Sequence, residues 1–327
     1  MNFTRVVICL TSLGLLYVSL DLFFNSMKTS KRQLHKHIPC DSIWMNLFSN
    51  ETVEDCITYD TVVRNSLNMS HQEILHFGIP DTRDDYLDDK RQLTFVNVFK
   101  SGYWGKGEDL TSSGAQRSGP GSQLINAQEA IAILHSIIDA LKQKLGKTII
   151  KLLDVPCGDW QWMHSFLLTR DDILYTGMDI VPELIDHHQK AFKNQQWRFL
   201  LQDAVKTKIN DTFDVVLVRH VLQHLQYSDA MKLLSHISSS GSGYLLATTF
   251  PYHPESTDLN KPGGFRWVNL EIPPFSLVRP LCLHKDGSGK RLSDQGYLGM
   301  WRLPLARFTN CTKSKYLFKG NSFFRCL

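Results

Sequence analysis

The sequence has no marked excess of charge of either sign. Its 327 residues include 36 Lys and Arg and 32 Asp and Glu, a net charge of +4. Between residues 95 and 305 there are 22 Lys and Arg against 20 Asp and Glu, which leaves that segment at +2. Proteins that bind nucleic acid need a basic surface to neutralise phosphates. The charge balance therefore argues against nucleic acid as a partner.

Internal repeats are absent as well. Hydrophobic residues make up 43% of the chain and charged residues 21%, which are ordinary values for a globular protein. Most of the chain should therefore bury a core. Its length allows one large domain with appendages, or two small domains.

One long apolar run stands apart near the N-terminus. The segment "VVICLTSLGLLYVSLDLFF", residues 6–24, is interrupted only by small or hydroxyl side chains and by Asp21. A membrane-spanning helix needs about 20 apolar residues. A cleaved signal peptide is the alternative, but no small-x-small cleavage site follows the run. We therefore predict a transmembrane signal anchor.

Two signals disagree on the orientation of that anchor. Basic residues are more frequent after the run than before it, and the positive-inside rule would leave the main domain in the cytosol. Four Asn-x-Ser/Thr sequons and two outlying cysteine pairs favour instead the lumen of the endoplasmic reticulum or Golgi, where disulfides form. For the cysteines, free surface thiols are the alternative. The sequons begin at Asn50, Asn68, Asn210 and Asn310, and the pairs are Cys40 with Cys56 and Cys311 with Cys326.

Strand and helix patterns alternate through the middle of the chain. Apolar residues at helical spacing cover residues 124–145, and Gly146 marks the end of that helix. Short buried strands then alternate with helices, which predicts an α/β fold with a Rossmann-like, doubly wound, mostly parallel sheet. The predicted strands cover residues 149–154, 174–179, 197–202, 213–219 and 243–250, and helices cover 160–169, 182–192 and 228–237.

These patterns divide the chain into five segments. The part that precedes residue 95 is polar and short on periodicity, which is typical of a stem or a loosely packed lead-in. The segments are a short N-terminal tail (1–5), the anchor (6–24), the stem (25–94), the main domain (95–305) and a Cys-containing tail (306–327).

The loop after the first predicted strand departs from the usual nucleotide-binding pattern. Such loops read Asp-x-Gly-x-Gly-x-Gly, because glycine lets backbone N–H groups approach the ligand. Here Pro156 and Trp160 replace the first and third glycines, whereas Asp154 and Gly158 remain. Trp160 makes the loop a poor cradle for a pyrophosphate. An aromatic face does attract a cation such as a positively charged sulfur.

Acidic residues end two more predicted strands. In doubly wound sheets, ligands bind beyond the carboxyl ends of the strands. Asp179 ends the second strand, where an acid accepts hydrogen bonds from ribose hydroxyls. Asp203 ends the third strand, where a carboxylate can receive an adenine amino group. One acid at each strand end is a stronger signal than any single acid. The alternative for each is that it only caps the following helix.

Four segments together carry a resemblance to a known family. "LLDVPCGDWQWM", "YTGMDIVPELI", "FDVVLVRHVLQHL" and "YLLATTF" resemble the class I S-adenosylmethionine-dependent methyltransferases. They are similar in particular to a branch, common in bacteria, whose first loop reads Pro-Cys-Gly-Asp-aromatic. The resemblance extends to "YWGKGE" upstream and "YLGMWRL" downstream, and so covers residues 97–305. The two missing glycines are therefore the pattern of that branch, while the apolar run, the stem and the Cys-containing tail depart from it.

The resemblance implies S-adenosylmethionine as the cofactor and a methyltransferase domain over residues 95–305. It implies that acids at successive strand ends hold successive parts of the cofactor. The cofactor-binding residues carried over are Asp154 and Gly158 at the methionine end, Asp179 at the ribose, Asp203 and Ala204 at the adenine and Arg219 beside the methyl group, with Pro156 and Ile180 completing the set.

Methyl transfer requires above all that the acceptor be positioned. A side chain that acts as a general base also contributes when the acceptor is a hydroxyl or amine that must lose a proton. His220, just past the fourth strand, is the candidate catalytic base, and a purely structural hydrogen bond to its loop is the alternative. His224 follows at i+4, but no Glu lies between the two and no third ligand is evident, so we predict no metal site.

Other polar and aromatic residues lie in predicted loops that could cover the mouth of a cofactor site at the strand ends. They are candidates for the acceptor side, with ordinary loop packing as the alternative for each. We predict O-methylation of a glycan or a small molecule. The rival interpretation is a non-catalytic, membrane-anchored domain that binds the cofactor or a protein partner. The acceptor-side candidates are Arg117, Ser122, Arg266 and Trp267.

Overall fold

The chain forms two compact units, Met1–Asn50 and Glu51–Leu327. Several of our predictions lie outside the described residues: most of the stem, the Cys40–Cys56 pair and the sequons at Asn50, Asn68 and Asn310. The computed structural model describes residues 6–11, 14–19, 85–105, 117–193, 195–255, 257–286, 294–307, 311–318 and 321–326.

The first unit contains a β-hairpin where we predicted a transmembrane helix. Strands β1 (Val6–Thr11) and β2 (Gly14–Ser19) pair antiparallel, with Val6 opposite Ser19. The prediction for residues 6–24 rested on length and apolar character, which do not separate a helix from a strand. Val and Ile favour strands. None of the helices within the described ranges combines the length and apolar character needed to cross a bilayer.

The second unit is built on a seven-stranded sheet. Its strand order is β5-β4-β3-β6-β7-β9-β8, and β3 to β7 run parallel. Strand β9 pairs antiparallel with both β7 and β8. The strands are β3 (Ile150–Asp154), β4 (Ile173–Asp179), β5 (Trp197–Leu201), β6 (Val215–Val218), β7 (Tyr244–Thr249), β8 (Cys282–Lys285) and β9 (Tyr297–Arg302).

Helices cover both faces of this sheet, which confirms the predicted doubly wound, mostly parallel architecture. Alternate residues of β6 show the two layers, because Val215 and Leu217 pack into one apolar core and Val216 and Val218 into the other. The helices are α1 (Asp85–Ser101), α2 (Gln128–Leu145), α3 (Gln161–Leu167), α4 (Pro182–Ala191) and α5 (Tyr227–Ser238).

Most elements lie close to where the sequence predicted them, and two helix boundaries are informative. Helix α2 ends at Leu145, and Gly146 caps it in the left-handed conformation at φ 63°. Helix α1 begins at Asp85, so it crosses the boundary that we placed between residues 94 and 95. The last part of the predicted stem therefore belongs to the folded domain.

A second hairpin lies near the C-terminus. Strands β10 (Cys311–Phe318) and β11 (Asn321–Cys326) pair antiparallel, and Cys311 is the register partner of Cys326. Register partners in antiparallel strands have Cα atoms within the range that a disulfide spans. The backbone is thus compatible with the Cys311–Cys326 disulfide, which stays a prediction.

Candidate functional site at the carboxyl ends of the strands

A cavity opens at the carboxyl ends of the parallel strands, where doubly wound folds bind ligands. Its empty space amounts to about 920 Å³, with the open solvent at its mouth included. The walls combine the ends of β3 and β4, the residues after β5 and β6, and helix α1. All eight predicted cofactor residues line it: Asp154, Pro156, Gly158, Asp179, Ile180, Asp203, Ala204 and Arg219.

Asp154 places a buried carboxylate in this cavity. It is the last residue of β3, and the Tyr175 hydroxyl donates a hydrogen bond to its Oδ2 atom at 2.9 Å. Burial raises the pKa of Asp154 to about 7, against a smaller lowering by the Tyr175 hydrogen bond. Within the described part of the chain, no cationic side chain forms an ion pair with Asp154. The Arg219 charge also lowers this pKa, but Arg219 is paired with Asp286, so the Asp154 carboxyl group has no ion-pair partner of its own.

Gly158 allows the first loop to approach a neighbouring segment closely. Its φ is 56°, and a Cβ atom there would lie 2.6 Å from the Ser118 hydroxyl oxygen. Asp159 secures the same contact, because its carboxylate accepts from the backbone N–H groups of Arg117 and Ser118 at 3.1 and 3.0 Å. The Asp159 N–H in turn donates to the Ser118 hydroxyl at 2.8 Å. These bonds fasten residues 117–122 over the first loop.

Asp179 joins the first loop to the end of β4. Its Oδ2 atom accepts from the Gly158 N–H at 2.9 Å and its Oδ1 atom from the Val181 N–H at 3.0 Å. Burial raises the pKa of Asp179 to about 6, although both backbone bonds lower it. Each carboxylate oxygen has two acceptor positions, so both retain capacity for ligand hydroxyls. Asp179 thus caps its own turn and faces the cavity as well.

Asp203 has a different environment from the one we predicted. Arg91 of α1 donates to its Oδ2 atom through both Nε, at 3.2 Å, and Nη2. Its Oδ1 atom accepts from the N–H groups of Val205 and Lys206 at 2.9 and 3.3 Å. Arg91 also pairs with Asp229 at 3.0 Å and is only 2% exposed. The Asp203 carboxylate is therefore bound within the protein, and α1 is anchored beside the residues predicted for the adenine.

Arg219 is held in a buried ion pair. It donates to both carboxylate oxygens of Asp286 at 2.8 and 2.9 Å, and its Nη1 atom donates to the Gly121 carbonyl at 2.8 Å. Its guanidinium lies over the Trp162 ring, 4.9 Å from the centroid. Arg219 therefore connects the end of β6 to residues 117–122 and to the segment after β8.

His220 does not line the cavity, and both of its ring nitrogens face protein groups. The Gln223 side-chain amide donates to Nδ1 at 3.2 Å, and Nε2 lies 3.5 Å from the Asp286 carboxylate. Burial, and next to it the Arg219 charge, lower the pKa of His220 to about 4. The ring is therefore neutral near pH 7, and its Nδ1 lone pair already accepts a hydrogen bond. The catalytic role of His220 stays a prediction.

Trp160 does not play the part that we proposed for it. Its ring is 1% exposed and packs edge-on against Phe192, Trp197 and Phe199 in the core. The aromatic residue of this loop region that lines the cavity is Trp162 instead. The left-handed backbone of Trp160, φ 59°, turns its side chain inward.

Sequence reasoning missed the contribution of α1 and of the chain that follows it. Arg91, Phe95, Phe99 and Trp104 all line the cavity. Helix α1 has no clear apolar stripe that would mark its side chains as part of a site, and although the family resemblance extends to "YWGKGE", it assigned no role to Trp104. Within the described ranges, no group of three or more His, Cys, Asp or Glu side chains is arranged to hold a metal ion.

No protein of curated function matches the sequence, but several solved structures resemble this one. Three of them are similar to it at TM-scores of 0.45, 0.41 and 0.41. They are the 1,6-didemethyltoxoflavin N1-methyltransferase of Burkholderia thailandensis (15% identity, 72% of this chain and 97% of that chain), the magnesium protoporphyrin IX methyltransferase of Synechocystis PCC 6803 (15%, 70% and 100%) and the N-methyltransferase NodS of Bradyrhizobium japonicum WM9 (14%, 64% and 99%).

A family match falls on the strands that build the cavity. Residues 153–240 match the family described as "Methyltransferase domain". The matched segment begins next to Asp154 and contains Asp179, Asp203 and Arg219. The part of the chain that supplies the strand-end carboxylates is therefore similar to a methyltransferase domain.

Proposed function

We propose that the protein is a methyltransferase that binds S-adenosylmethionine in the strand-end cavity. The observation that carries the proposal is the Asp154 carboxyl group, which is buried, lines the cavity and forms no ion pair among the described residues, since the Arg219 charge that acts on it is itself paired with Asp286. An unpaired buried carboxylate is costly in a folded protein. A ligand that brings a positive charge removes that cost, and S-adenosylmethionine carries an ammonium and a sulfonium.

The other walls fit the remaining parts of this cofactor. Asp179 keeps acceptor capacity for the two ribose hydroxyls. The far wall is apolar, as an adenine ring requires, and includes Val205, Leu225 and Leu233. Since Arg91 holds the Asp203 side chain, adenine would be bound mainly by this wall and by backbone groups near Ala204. The matched methyltransferase family supports the same assignment.

When bound, S-adenosylmethionine supplies an electrophilic methyl group. An acceptor oxygen would take this methyl group, the sulfur would keep the electron pair of the broken carbon–sulfur bond, and the acceptor's proton would leave to water. The protein's part is to bind and orient both reactants. Asp154 and Asp179 would orient the cofactor, and residues 117–122, fastened by Asp159 and Arg219, would cover its methionine end. We propose O-methylation as the reaction.

Calorimetric titration of the full-length chain with S-adenosylmethionine and with S-adenosylhomocysteine tests the proposal. We expect a 1:1 isotherm with each. Asp179→Ala should weaken binding about tenfold or more, because hydrogen bonds to a charged group contribute roughly 1.5–3 kcal/mol. The control is Asp211→Ala, which removes an exposed carboxylate outside the cavity. Absence of heat with folded protein would exclude the cofactor. Binding without methyl transfer to any acceptor would favour the non-catalytic alternative.

The lumenal location is a separate proposal, supported by the sequons. Asn210, the sequon residue that the structure describes, is exposed in the turn between β5 and β6, as attachment of a glycan requires. Glycosidase treatment of the protein from eukaryotic cells should increase its mobility on a gel. If the mobility did not change although all four sequons were intact, the result would contradict the lumenal location.

A further inference from the structure

The Asp154 carboxyl group is bound from the protein interior by one tyrosine. The Tyr175 hydroxyl donates to its Oδ2 atom at 2.9 Å, and among the described residues no other side chain and no backbone N–H donates to this carboxyl group. Asp154 lines the cavity, whereas Tyr175 is 1% exposed and lies behind the cavity wall. The hydroxyl therefore fixes one carboxyl oxygen from behind and leaves the other, Oδ1, without a protein donor.

A glycine on the same face of β4 makes this contact possible. Gly177 is the register partner of Asp154 in the β3–β4 pair, and Tyr175 precedes it by two residues, so both face the same side of the sheet. A Cβ atom at Gly177 would lie 2.9 Å from the Tyr175 hydroxyl oxygen and 3.0 Å from the Cβ atom of Cys157. The Tyr175 side chain therefore extends over Gly177 to reach Asp154, a path that any side chain at 177 would obstruct.

Aromatic neighbours fix the Tyr175 ring in the core. Its centroid lies 5.7 Å from that of Trp160 and 6.0 Å from that of Phe199. Both of these rings are buried as well. Side chains in a close-packed core keep one conformation, so the hydroxyl is in place before any ligand binds. A group that is positioned in advance lowers the entropic cost of binding.

Several groups act on the ionisation of Asp154, and Tyr175 is foremost among them. Burial raises the pKa of Asp154, and the Tyr175 hydrogen bond lowers it more than any other group does. The Arg219 charge lowers this pKa less, and the Asp179 charge raises it. Burial raises the pKa values of Tyr175 and Cys157 well above their ordinary range, so both stay protonated near neutral pH. The Tyr175 hydroxyl is therefore a neutral donor that supports the ionised carboxylate.

We propose that Tyr175 is a positioning residue of the cofactor site, whose hydroxyl holds the Oδ2 atom of Asp154 and leaves Oδ1 as the acceptor for the cofactor's ammonium group. This inference rests on the proposed function and adds to it a residue that does not touch the ligand. The ionised form of the carboxyl group is the form that binds a cation, and a hydrogen bond to that form favours it. Loss of the hydroxyl should therefore make ligand binding weaker and more dependent on pH.

Calorimetric titration of the full-length chain with S-adenosylhomocysteine tests the proposal, because this ligand keeps the ammonium group but has no methyl group to transfer. Tyr175→Phe removes the hydroxyl and keeps the ring in the core. Loss of a hydrogen bond to a charged group should raise the pKa of Asp154 by about one unit. Affinity should then fall about ninefold at pH 6 but only about threefold at pH 7.5, and binding at pH 7.5 should release about half a proton more than in wild type.

Two further variants separate the hydroxyl's effect on Asp154 from its effect on packing. Tyr244→Phe is the matched control, because it removes the hydroxyl of another buried tyrosine of the same sheet, outside the cavity lining. It should change neither the affinity nor the proton release. In an Asp154→Asn background, Tyr175→Phe should have no pH-dependent effect, because no carboxyl group remains at that position to ionise. Melting temperatures show that each variant is folded.

The outcomes distinguish the role of Tyr175 from the proposed function itself. If the wild type binds S-adenosylhomocysteine and Tyr175→Phe binds it equally well at every pH, Tyr175 does not position Asp154. An equal loss of affinity at pH 6 and 7.5, with unchanged proton release, would show that the hydroxyl supports only the packing of the core. Failure of the wild-type protein to bind S-adenosylhomocysteine at any pH would contradict the proposed function instead.

Discussion

Arg219 and Asp286 meet through two parallel hydrogen bonds, 2.8 and 2.9 Å long, with 4% and 0% of their side chains exposed. Burial by itself raises the pKa of Asp286, but the Arg219 charge and its hydrogen bonds outweigh burial and keep the pKa below its usual value. The pair joins the end of β6 to the residue that follows β8, and Arg219 also binds the Gly121 carbonyl. Asp286 thus fixes the Arg219 side chain, which in turn connects the end of β6 to residues 117–122.

Removing one member of this pair should destabilise the protein strongly. Asp286→Ala leaves the Arg219 guanidinium buried without a counter-charge, and such changes cost about 3–5 kcal/mol. Urea unfolding followed by circular dichroism measures the change. The control is Asp211→Ala, which breaks the Arg198–Asp211 pair, whose side chains are 52% and 56% exposed. Exposed pairs contribute at most about 1 kcal/mol. An equal decrease in the free energy of unfolding in the two variants would contradict this explanation.

Two glycines with the same backbone conformation should respond differently to alanine. Gly158 and Gly146 have φ values of 56° and 63°, so a Cβ atom costs each roughly 1–2 kcal/mol. Only Gly158 has a close neighbour, the Ser118 hydroxyl at 2.6 Å, whereas nothing lies within 4 Å of the position at Gly146. Gly158→Ala should therefore weaken S-adenosylhomocysteine binding at least about tenfold, and Gly146→Ala should leave the affinity unchanged. Calorimetry distinguishes the two results.

Stability without ligand should fall as the pH rises towards 7 because of Asp154. Its pKa is about 7 in the folded protein against an ordinary value of 3.8. Between these values the folded state binds more protons than the unfolded state, so each pH unit lowers the free energy of unfolding by up to about 1.4 kcal/mol. Asp154→Asn should flatten this dependence. Urea unfolding of both proteins at pH 4 to 8 measures the free energy of unfolding. If it changed with pH in the same way in both proteins, Asp154 would not be the group responsible.

Cofactor binding should show the opposite pH dependence. A cationic ligand needs the Asp154 carboxylate ionised and lowers its pKa, so binding releases a proton near neutral pH. Affinity for S-adenosylmethionine should therefore rise as the pH increases from 5 to 8. Calorimetry in buffers of different ionisation enthalpy measures the released proton. If the wild type released no proton, or if Asp154→Asn still released one, the positive charge of the ligand would not lie next to Asp154.

His188 should act as a positioning residue for the first loop. Its Nε2–H donates to the Gly158 carbonyl at 2.8 Å, while the Gly158 N–H donates to Asp179, so the two side chains fix this glycine from both sides. Burial lowers the pKa of His188 to about 4, and the ring is neutral in the assay range. His188→Leu should weaken S-adenosylhomocysteine binding about fivefold, the contribution of one hydrogen bond. His188→Gln, whose amide can reach the same carbonyl, should restore it.

A purely structural role predicts a different pattern for His188. The Leu variant would then lose thermal stability without a selective change in ligand affinity, and Gln would not restore the affinity. Melting temperatures measured with and without S-adenosylhomocysteine separate the two cases, because a ligand stabilises only the state that binds it.

The sequence by itself determined the core of the fold and the positions of the strand-end acids. Short apolar runs that alternate with helical patterns predicted the parallel sheet, because a strand buried on both faces must be apolar throughout. In such a sheet a residue at a strand end faces the ligand edge, and Asp154 and Asp179 do line the cavity at that edge. The apolar character of a strand and the residue at its end are both properties of a short stretch of sequence, so the sequence alone reveals them.

Only the tertiary structure decided which groups face those acids. The Arg91–Asp203 contact joins residues 112 positions apart and the Arg219–Asp286 contact residues 67 apart, and no local pattern encodes such distances. The same holds for Trp160, whose inward turn depends on the aromatic groups that pack around it. The apolar run at residues 6–24 allowed a helix or a strand, and hydrogen bonding between Val6–Thr11 and Gly14–Ser19 selected the hairpin. Local hydrophobic periodicity determines where helices and strands form. Packing between residues that are distant in the sequence decides which side chains and which strands pair.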